Sequence, residues 1–376
     1  MEIRYSKGNE REVSEKIWLE TFRDSEDYVK WYMENIHRNE NNLYILKGEK
    51  VLGMLYENPY NINYLNENLR GIYVVAVSII PEARGEGNLN RLMEYSIKNN
   101  RDKDIMFLHP VNGRLYKKYG FVYGSNIEIY TCLLKDIPSF RKKYKVFTID
   151  KKNDINYLVR LYEEEMKNYK FFVKKTEKDL LNLFSETEID KGYSYLIKDE
   201  NNNIRGYFTY TFNKNNIFVK EMIFQDKKTF ESILYHLKTY GDYFEKLEIV
   251  SPEGMNLNKY LEDYTLLKKE IKPHIQFRIL NVEIFLKNLK YKFIKSNFIL
   301  EIKDNILGDS LYKIFNGEIE KNIKGSPDIS LTIEEFTEII SSDISYDIME
   351  KKLENKKLFL LKDIFIERKS FINQFF

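Results

Sequence analysis

The stretch PEARGEGNLNRLM (81–93) carries the most chemical content in the chain. It follows the apolar run YVVAVSII and leads into a helical pattern. A strand that passes through a glycine-bearing turn into a helix makes an anion trap. The first helical turn offers backbone N–H groups with no internal partner and a partial positive charge. Glycine permits positive φ and lets a phosphate approach the backbone, and Arg84 adds a fixed charge with directional donors. The N–H groups of Gly85, Glu86, Gly87, Asn88 and Leu89 could wrap a pyrophosphate beside Arg84. An ordinary turn before a helix uses the same residue types, so context decides.

Several other chemistries are excluded. There is no G-x-x-x-x-G-K-[ST] phosphate loop and no G-x-G-x-x-G with an acidic residue about 20 positions on. Cys132 is the sole cysteine, which rules out an intrachain disulfide, a multi-thiolate metal site and a C-x-x-C redox pair. His37, His109, His236 and His274 are the four histidines, and none pairs with another at ligand spacing, so no metal is expected. The chain is 43% hydrophobic and 31% charged with a formal net charge of +2, and its lysines are scattered. That balance argues against a nucleic-acid partner. The charged N-terminus lacks the apolar core of a signal peptide, and no run approaches the roughly 20 apolar residues of a membrane helix. The expectation is a cytoplasmic protein with no membrane partner.

The elements that must position Arg84 and the glycines follow from periodicity. Helices are predicted over 13–22 and 25–36, with Ser25 as N-cap. A strand–turn–strand spans 41–62 with its turn at 47–50. A strand over 72–80, a helix over 88–100, a strand over 104–110, a short helix over 113–121 and a strand over 126–134 complete a mixed α/β domain, 1–145. Residues 146–276 repeat that order: helices 155–169 and 177–186, a hairpin 193–212, a strand 216–224, a helix 226–242 and a strand 246–252. Residues 277–376 form a third unit, with strand alternation over 292–307 and a strand running into a helix over 328–342. There Thr332 and Glu335 form a capping box. The 376 residues are too many for one core. The end, KSFINQFF, is apolar for a terminus and is expected to be buried.

With this context, 81–93 resembles motif A of the GNAT N-acetyltransferases, [Q/R]-x-x-G-x-[G/A] between a strand and a helix. Arg84, Gly87 and Leu89 hold the key positions, Leu89 replacing the usual small residue. LHPVNGRLYKKYGF (108–121) resembles the family's second landmark, a tyrosine on a short helix before Tyr/Phe-Gly-Phe. ENPYNI (57–62), taken with both, resembles the Eis (enhanced intracellular survival) type, which tolerates leucine at that position. The resemblance implies two tandem GNAT folds, mixed sheets flanked by helices, and a C-terminal sterol-carrier-protein-2-like α+β domain. It also implies acetyl-CoA as donor, with no metal, and a homo-oligomer, often a hexamer in that family.

The same resemblance distributes roles. The pyrophosphate goes to residues 84–89. The thioester carbonyl is polarised by a backbone N–H at the end of the 72–80 strand, around Val77, Ser78 and Ile79. Tyr116 protonates the leaving thiolate. The base that accepts the amine proton is the terminal carboxylate of Phe376. Its ordinary pKa of roughly 3.5 would be raised by burial among Phe371, Phe375 and Phe376. Tyr119 and Phe121 pack beneath the loop, and His109 is read as a hydrogen-bonded structural histidine. In the second unit the matching junction, MIFQDKKTFESIL, has no glycine, and Asp226 would repel a phosphate. It is not expected to bind CoA.

The acceptor implied is a primary amine: a small polyamine, an aminoglycoside-like molecule or a peptide lysine. The candidate wall is RDSEDYVKWYMENI, with Asp24, Glu26, Asp27 and Trp31 to attract and cover a cation. The penultimate residue is Phe375, where an acid would help hold an aminoglycoside. Two other classes remain open: a non-catalytic ligand or lipid carrier, and an acetyl-CoA-responsive scaffold.

Overall fold

The computed structural model describes residues 1–140, 144–354 and 356–373. The chain begins with β1 (Glu2–Tyr5), α1 (Arg11–Thr21) and α2 (Glu26–Asn35). Ser25 caps α2, its hydroxyl accepting from the Tyr28 N–H at 3.2 Å. β2 (Asn42–Lys47) and β3 (Lys50–Tyr64) turn at Gly48, where φ is +60°. β4 (Glu67–Ile79) starts earlier than expected because it forms a second long hairpin with β3. Then come α3 (Asn88–Asn99), β5 (Ile105–Leu108), α4 (Gly113–Lys117), β6 (Val122–Leu133) and β7 (Lys145–Thr148). α4 is shorter than the 113–121 pattern because the chain unwinds toward Gly120, at φ +87°.

Beyond these lie α5 (Ile155–Met166), β8 (Phe171–Val173), α6 (Glu177–Ile189), β9 (Tyr193–Lys198), β10 (Ile204–Asn213), β11 (Asn216–Phe224), α7 (Lys227–Lys238) and β12 (Lys246–Pro252). The last part holds β13 (Lys268–Ile279), α8 (Val282–Asn288), β14 (Asn297–Lys303), β15 (Ser310–Phe315), β16 (Glu318–Lys321), β17 (Ile329–Thr332), α9 (Ile333–Ser341) and α10 (Tyr346–Lys352). β13 hides from pattern reading because its first half is exposed and its second half fully buried. Neither half alternates. The predicted capping box at α9 is present, with Thr332 and Glu335 each bonded to the other's backbone.

Contacts divide the chain into two compact units: 1–125, 170–173 and 274–376 in one, 126–169 and 174–273 in the other. In the first, strands run β1-β2-β3-β4-β5-β13, with β8 added to β3. The β4–β5 pair is parallel; its neighbours are antiparallel. A separate four-stranded sheet, β16-β15-β14-β17, lies in the same unit. In the second unit the order is β6-β12-β11-β10-β9-β7, with β11 and β12 parallel. Each sheet is a mixed sheet flanked by helices, as expected. Pro59 sits on β3 beyond its last β2 rung, at Tyr56, where a missing N–H removes no β2 bond. Tyr73 stacks on Phe107 at 4.9 Å and 17° across the last rung joining β4 to β5. Such a stack contributes ~0.5–1.5 kcal/mol beyond its buried area.

The apolar end is buried where it is described: Ser370, Phe371 and Ile372 are all enclosed. The Lys170 N–H donates to the Lys369 carbonyl at 2.6 Å, and the Phe371 N–H to the Phe171 carbonyl at 2.8 Å. Phe375 and Phe376 lie outside the described residues.

Lys170 is itself buried, its ammonium donating to the Ser342 carbonyl at 2.5 Å. Burial pulls its pKa down to about 7, against the opposing pull of Asp343 and with the help of Arg368. An unfolded lysine binds its proton up to about pH 10.4. Between those values the unfolded chain holds the extra proton, so stability rises with pH. Chemical denaturation of the wild type and Lys170→Met from pH 7 to 9 should show their stability difference climbing by up to ~1.4 kcal/mol per pH unit in favour of the wild type. A difference that stays flat would contradict it.

Candidate active site

The anion-trap residues sit where the sequence puts them. Gly87 is the N-cap of α3 with φ +78°, and Gly85 has φ +79°. A Cβ at either would meet nothing within 4 Å. Conformation, not crowding, therefore demands glycine here, since left-handed backbone costs an L-residue roughly 1–2 kcal/mol. A glycine N-cap also brings no side-chain oxygen to cover the helix N-terminus, and the first turn of α3 has no acidic residue. Its N–H groups stay available to a ligand. Asn88 is buried and its amide donates to the Ala83 carbonyl at 2.9 Å, which staples the loop shut. The Arg84 Nε donates to the Ile79 carbonyl at 3.0 Å, tying its exposed guanidinium to the end of β4. Leu89 is half-buried. Glu86 puts its carboxylate 3.5 Å from the Asn88 amide, so only its backbone N–H suits an anion.

β4 is deformed beside this loop. Its pairing to β5 runs only over Gly71–Tyr73 and then stops. Its register to β3 slips between Met54 and Tyr56, opposite Ala76, whose φ is +50°. This is a β-bulge at a residue that rarely adopts such a backbone. The ladder resumes at Ser78 and Ile79, where Gly53 is required: a Cβ there would lie 2.4 Å from the Ser78 carbonyl. Val77, Ser78 and Ile79 thus follow a bulge on a strand edge that has parted from its parallel neighbour. The Ser78 hydroxyl is buried with no hydrogen-bond partner among the described residues. A backbone N–H in such a segment can polarise a carbonyl laid along the edge.

Tyr116 is 7% exposed. Burial pushes its phenol up to about 12, so it stays protonated and able to donate at neutral pH. It rides on α4, whose start is capped by the Asn112 side chain accepting from the Arg114 N–H at 3.0 Å. Tyr119 and Phe121 are buried, as expected. The Tyr119 hydroxyl and the Lys118 ammonium both donate to Asn90 Oδ1, at 2.5 and 2.6 Å. Asn90 lies in the first turn of α3, so the phenol helix is tied directly to the anion loop.

His109 and His274 have no ligand spacing in sequence, yet the fold brings their rings to 4.5 Å. Burial lowers the His109 pKa, which keeps it neutral. Among the described residues no group of three His, Cys, Asp or Glu is arranged to hold a metal. Of the acceptor-wall residues, Asp24, Glu26 and Asp27 are exposed. Asp24 accepts from the Trp18 indole at 2.8 Å. Trp31 is turned inward, 5.7 Å from the Tyr28 ring. In the second unit Asp226 caps α7, accepting from the Thr229 N–H at 2.7 Å and its hydroxyl at 2.9 Å. A carboxylate therefore occupies the helix N-terminus that Gly87 leaves open in the first unit.

Sequence reasoning missed Ala76, Asn90, Gln276 and Arg278. No local pattern marks an alanine for positive φ. Gln276 and Arg278 reach α4 from β13, with 159 positions separating Arg278 from its partner Tyr119.

Residues 2–124 match the family model described as the acetyltransferase (GNAT) domain. No curated protein matches the chain. Among solved structures it is similar to a probable N-acyltransferase from Enterococcus faecalis V583, at TM-score 0.83 and 14% identity, covering 100% of this chain and 99% of that one. A GCN5-related N-acetyltransferase from Anabaena variabilis superposes at TM-score 0.79 and 19% identity, with 100% of both chains covered. Eis1 from Mycobacterium abscessus does so at 0.73 and 12%, again over 100% of both chains. These likenesses show the fold. Residues 2–124 thus carry a GNAT acetyltransferase domain, and the chain is an acyltransferase. No helix among the described residues is long and apolar enough to cross a membrane.

General acid catalysis typically contributes ~10²–10⁴-fold. If Tyr116 is the general acid that the resemblance implies, Tyr116→Phe should lower kcat by ~10²-fold or more while acyl-CoA affinity, measured by calorimetry, stays within a factor of three. An unchanged kcat would remove Tyr116 from the proton path.

Proposed function

We propose that the chain is an acetyl-CoA-dependent N-acetyltransferase of Eis type that moves an acetyl group directly to a primary amine in a ternary complex. The observation that carries this is the bulged edge of β4, parted from β5 and lying beside a glycine loop whose helix N-terminus is left open. The pyrophosphate of CoA takes the N–H groups of residues 85–89 and the Arg84 charge. The pantetheine arm runs along the unpaired edge of β4, which brings the thioester to Val77, Ser78 and Ile79. One backbone N–H there polarises the carbonyl. The neutral amine attacks, the C–S bond breaks, and the Tyr116 proton passes to the CoA thiolate.

The proton lost by the amine goes to a base, for which the reading offers the terminal carboxylate of Phe376. The burial of Ser370, Phe371 and Ile372, just before it in the chain, supports this reading. Asp24, Glu26 and Asp27 form an acidic approach for a cationic acceptor, with Trp31 backing their helix. With Phe375 in place of an acid, a less charged amine or a peptide α- or ε-amine fits better than an aminoglycoside. The same resemblance carries the three-part division at 145 and 276, with a degenerate middle GNAT domain and a sterol-carrier-protein-2-like end. It also carries a homo-oligomer, often a hexamer in that family, and the location proposed is cytoplasmic.

Calorimetry with acetyl-CoA tests the donor site. The wild type should bind in the micromolar range, and Arg84→Glu with Gly87→Asp should weaken binding ~100-fold or more, since it sets two carboxylates against a pyrophosphate at a helix N-terminus. Deleting Phe376 should lower kcat at least ~10-fold with acetyl-CoA affinity retained, as the loss of a positioned base does. A folded wild type that does not bind acetyl-CoA would instead favour a ligand carrier. One that binds it but acetylates no amine would favour an acetyl-CoA-responsive scaffold.

A further inference from the structure

α4, at five residues, is too short to hold its own shape in water. Tyr116 can be no better placed than the contacts that fix both ends of this helix. Two of those contacts come from one distant strand. Gln276 Nε2 donates to the Gly113 carbonyl at 2.9 Å, at the start of α4. Arg278 Nη1 donates to the Tyr119 carbonyl at 2.8 Å, just past its end. The two residues are i and i+2 on β13, so they share one face of the sheet. β13 is itself held in register against β5, with Gln276 opposite Leu108 and Arg278 opposite Met106.

The Arg278 grip is anchored in turn. Its Nη2 makes a two-pronged bond to the Asp304 carboxylate at 2.9 and 2.7 Å, and the arginine is fully buried. Gly120 is shaped for it: a Cβ there would lie 1.9 Å from Arg278 Nη1. Asp304 also accepts from the Ile306 and Leu307 N–H groups, fixing the turn after β14. The turn after α4 closes on the catalytic residue itself, since the Tyr116 carbonyl accepts from the Tyr119 N–H at 3.0 Å. A buried arginine needs a strong reason to be kept, because a well-packed apolar group is often as stable.

We propose that Gln276 and Arg278, backed by Asp304, are positioning residues that clamp α4 at both ends and so hold the Tyr116 phenol in line with the leaving thiolate. The C-terminal part of the chain thereby acts on the chemical step without touching substrate. This rests on the acetyltransferase mechanism proposed above.

Arg278 also lines an open cleft of about 1320 Å³ between α4 and the β14–α9 region, which gives a direct test. In Arg278→Ala, guanidinium ion can enter the cleft and take the vacated place. The expected result is a kcat lowered ~10²-fold, the cost of an ångström-scale misplacement, with KM for acetyl-CoA within threefold. Millimolar guanidinium should recover at least tenfold of that loss in the variant and nothing in the wild type. The basic limb of the kcat–pH profile should move down toward ~10, the ordinary tyrosine value, as water reaches the phenol. If Arg278→Ala does not fold, Gln276→Ala and Gly120→Ala read the same effect: a lower kcat at unchanged KM. Variants with kcat within twofold of wild type, or a loss that follows acetyl-CoA affinity and ignores guanidinium, would overturn the clamp. A wild type that transfers no acetyl group would instead overturn the mechanism on which it rests.

Discussion

The parting of β4 from β5 is the constraint on which the site depends. Two parallel strands pair for three residues, Gly71–Tyr73 with Ile105–Phe107, and then separate. Nothing in β-sheet physics favours leaving that edge open, because unpaired backbone groups cost free energy when buried. The molecule sustains it by local means. A stacked pair, Tyr73 on Phe107, closes the last rung. A bulge at Ala76 turns the strand away while β3 re-engages at Ser78. The cost of a left-handed alanine is repaid by the long β3–β4 hairpin that surrounds it. In the proposed reading, the amide groups of the pantetheine arm of acetyl-CoA supply the backbone partners that the fold withholds.

Each functional group is then set relative to that opening by short, direct ties. Arg84 is bonded to the Ile79 carbonyl at the mouth of the strand. Asn88 shuts the loop behind it. Asn90 receives both Lys118 and Tyr119, so the anion loop and the phenol helix are one mechanical piece. Electrostatics follow from the same arrangement. The N-terminus of α3 keeps its positive end uncapped, whereas the N-terminus of α7 is filled by Asp226. A single N-cap residue separates a helix end that can take a phosphate from one that already holds a carboxylate.

The buried Arg278–Asp304 pair extends this frame into the C-terminal part of the first unit. Desolvation makes such a pair a poor source of stability, and removing one partner costs about 3–5 kcal/mol. Its geometry gives it another use. It fixes the backbone at Tyr119, on a turn that has only a five-residue helix to support it.

By itself the sequence determined the features whose cause is local. Glycines at 85 and 87 mark positive φ before a helix, Ser25 and Thr332 mark helix starts, and β11 and β12 match their predicted strands to the residue. The glycine loop and the tyrosine helix were legible for that reason. What tertiary structure decided is whatever depends on a partner far along the chain. The bulge at Ala76 arises from register against β3, and no alanine announces it. The meeting of His109 with His274, and the hold of Gln276 and Arg278 on α4, require β13 to lie against β5. Trp31 was placed on a candidate substrate wall because of its type, and packing turned it inward beside Tyr28. Side-chain type and spacing fix local backbone choices within a few residues, whereas pairing between distant strands is settled only by the burial and hydrogen-bond satisfaction of the whole sheet.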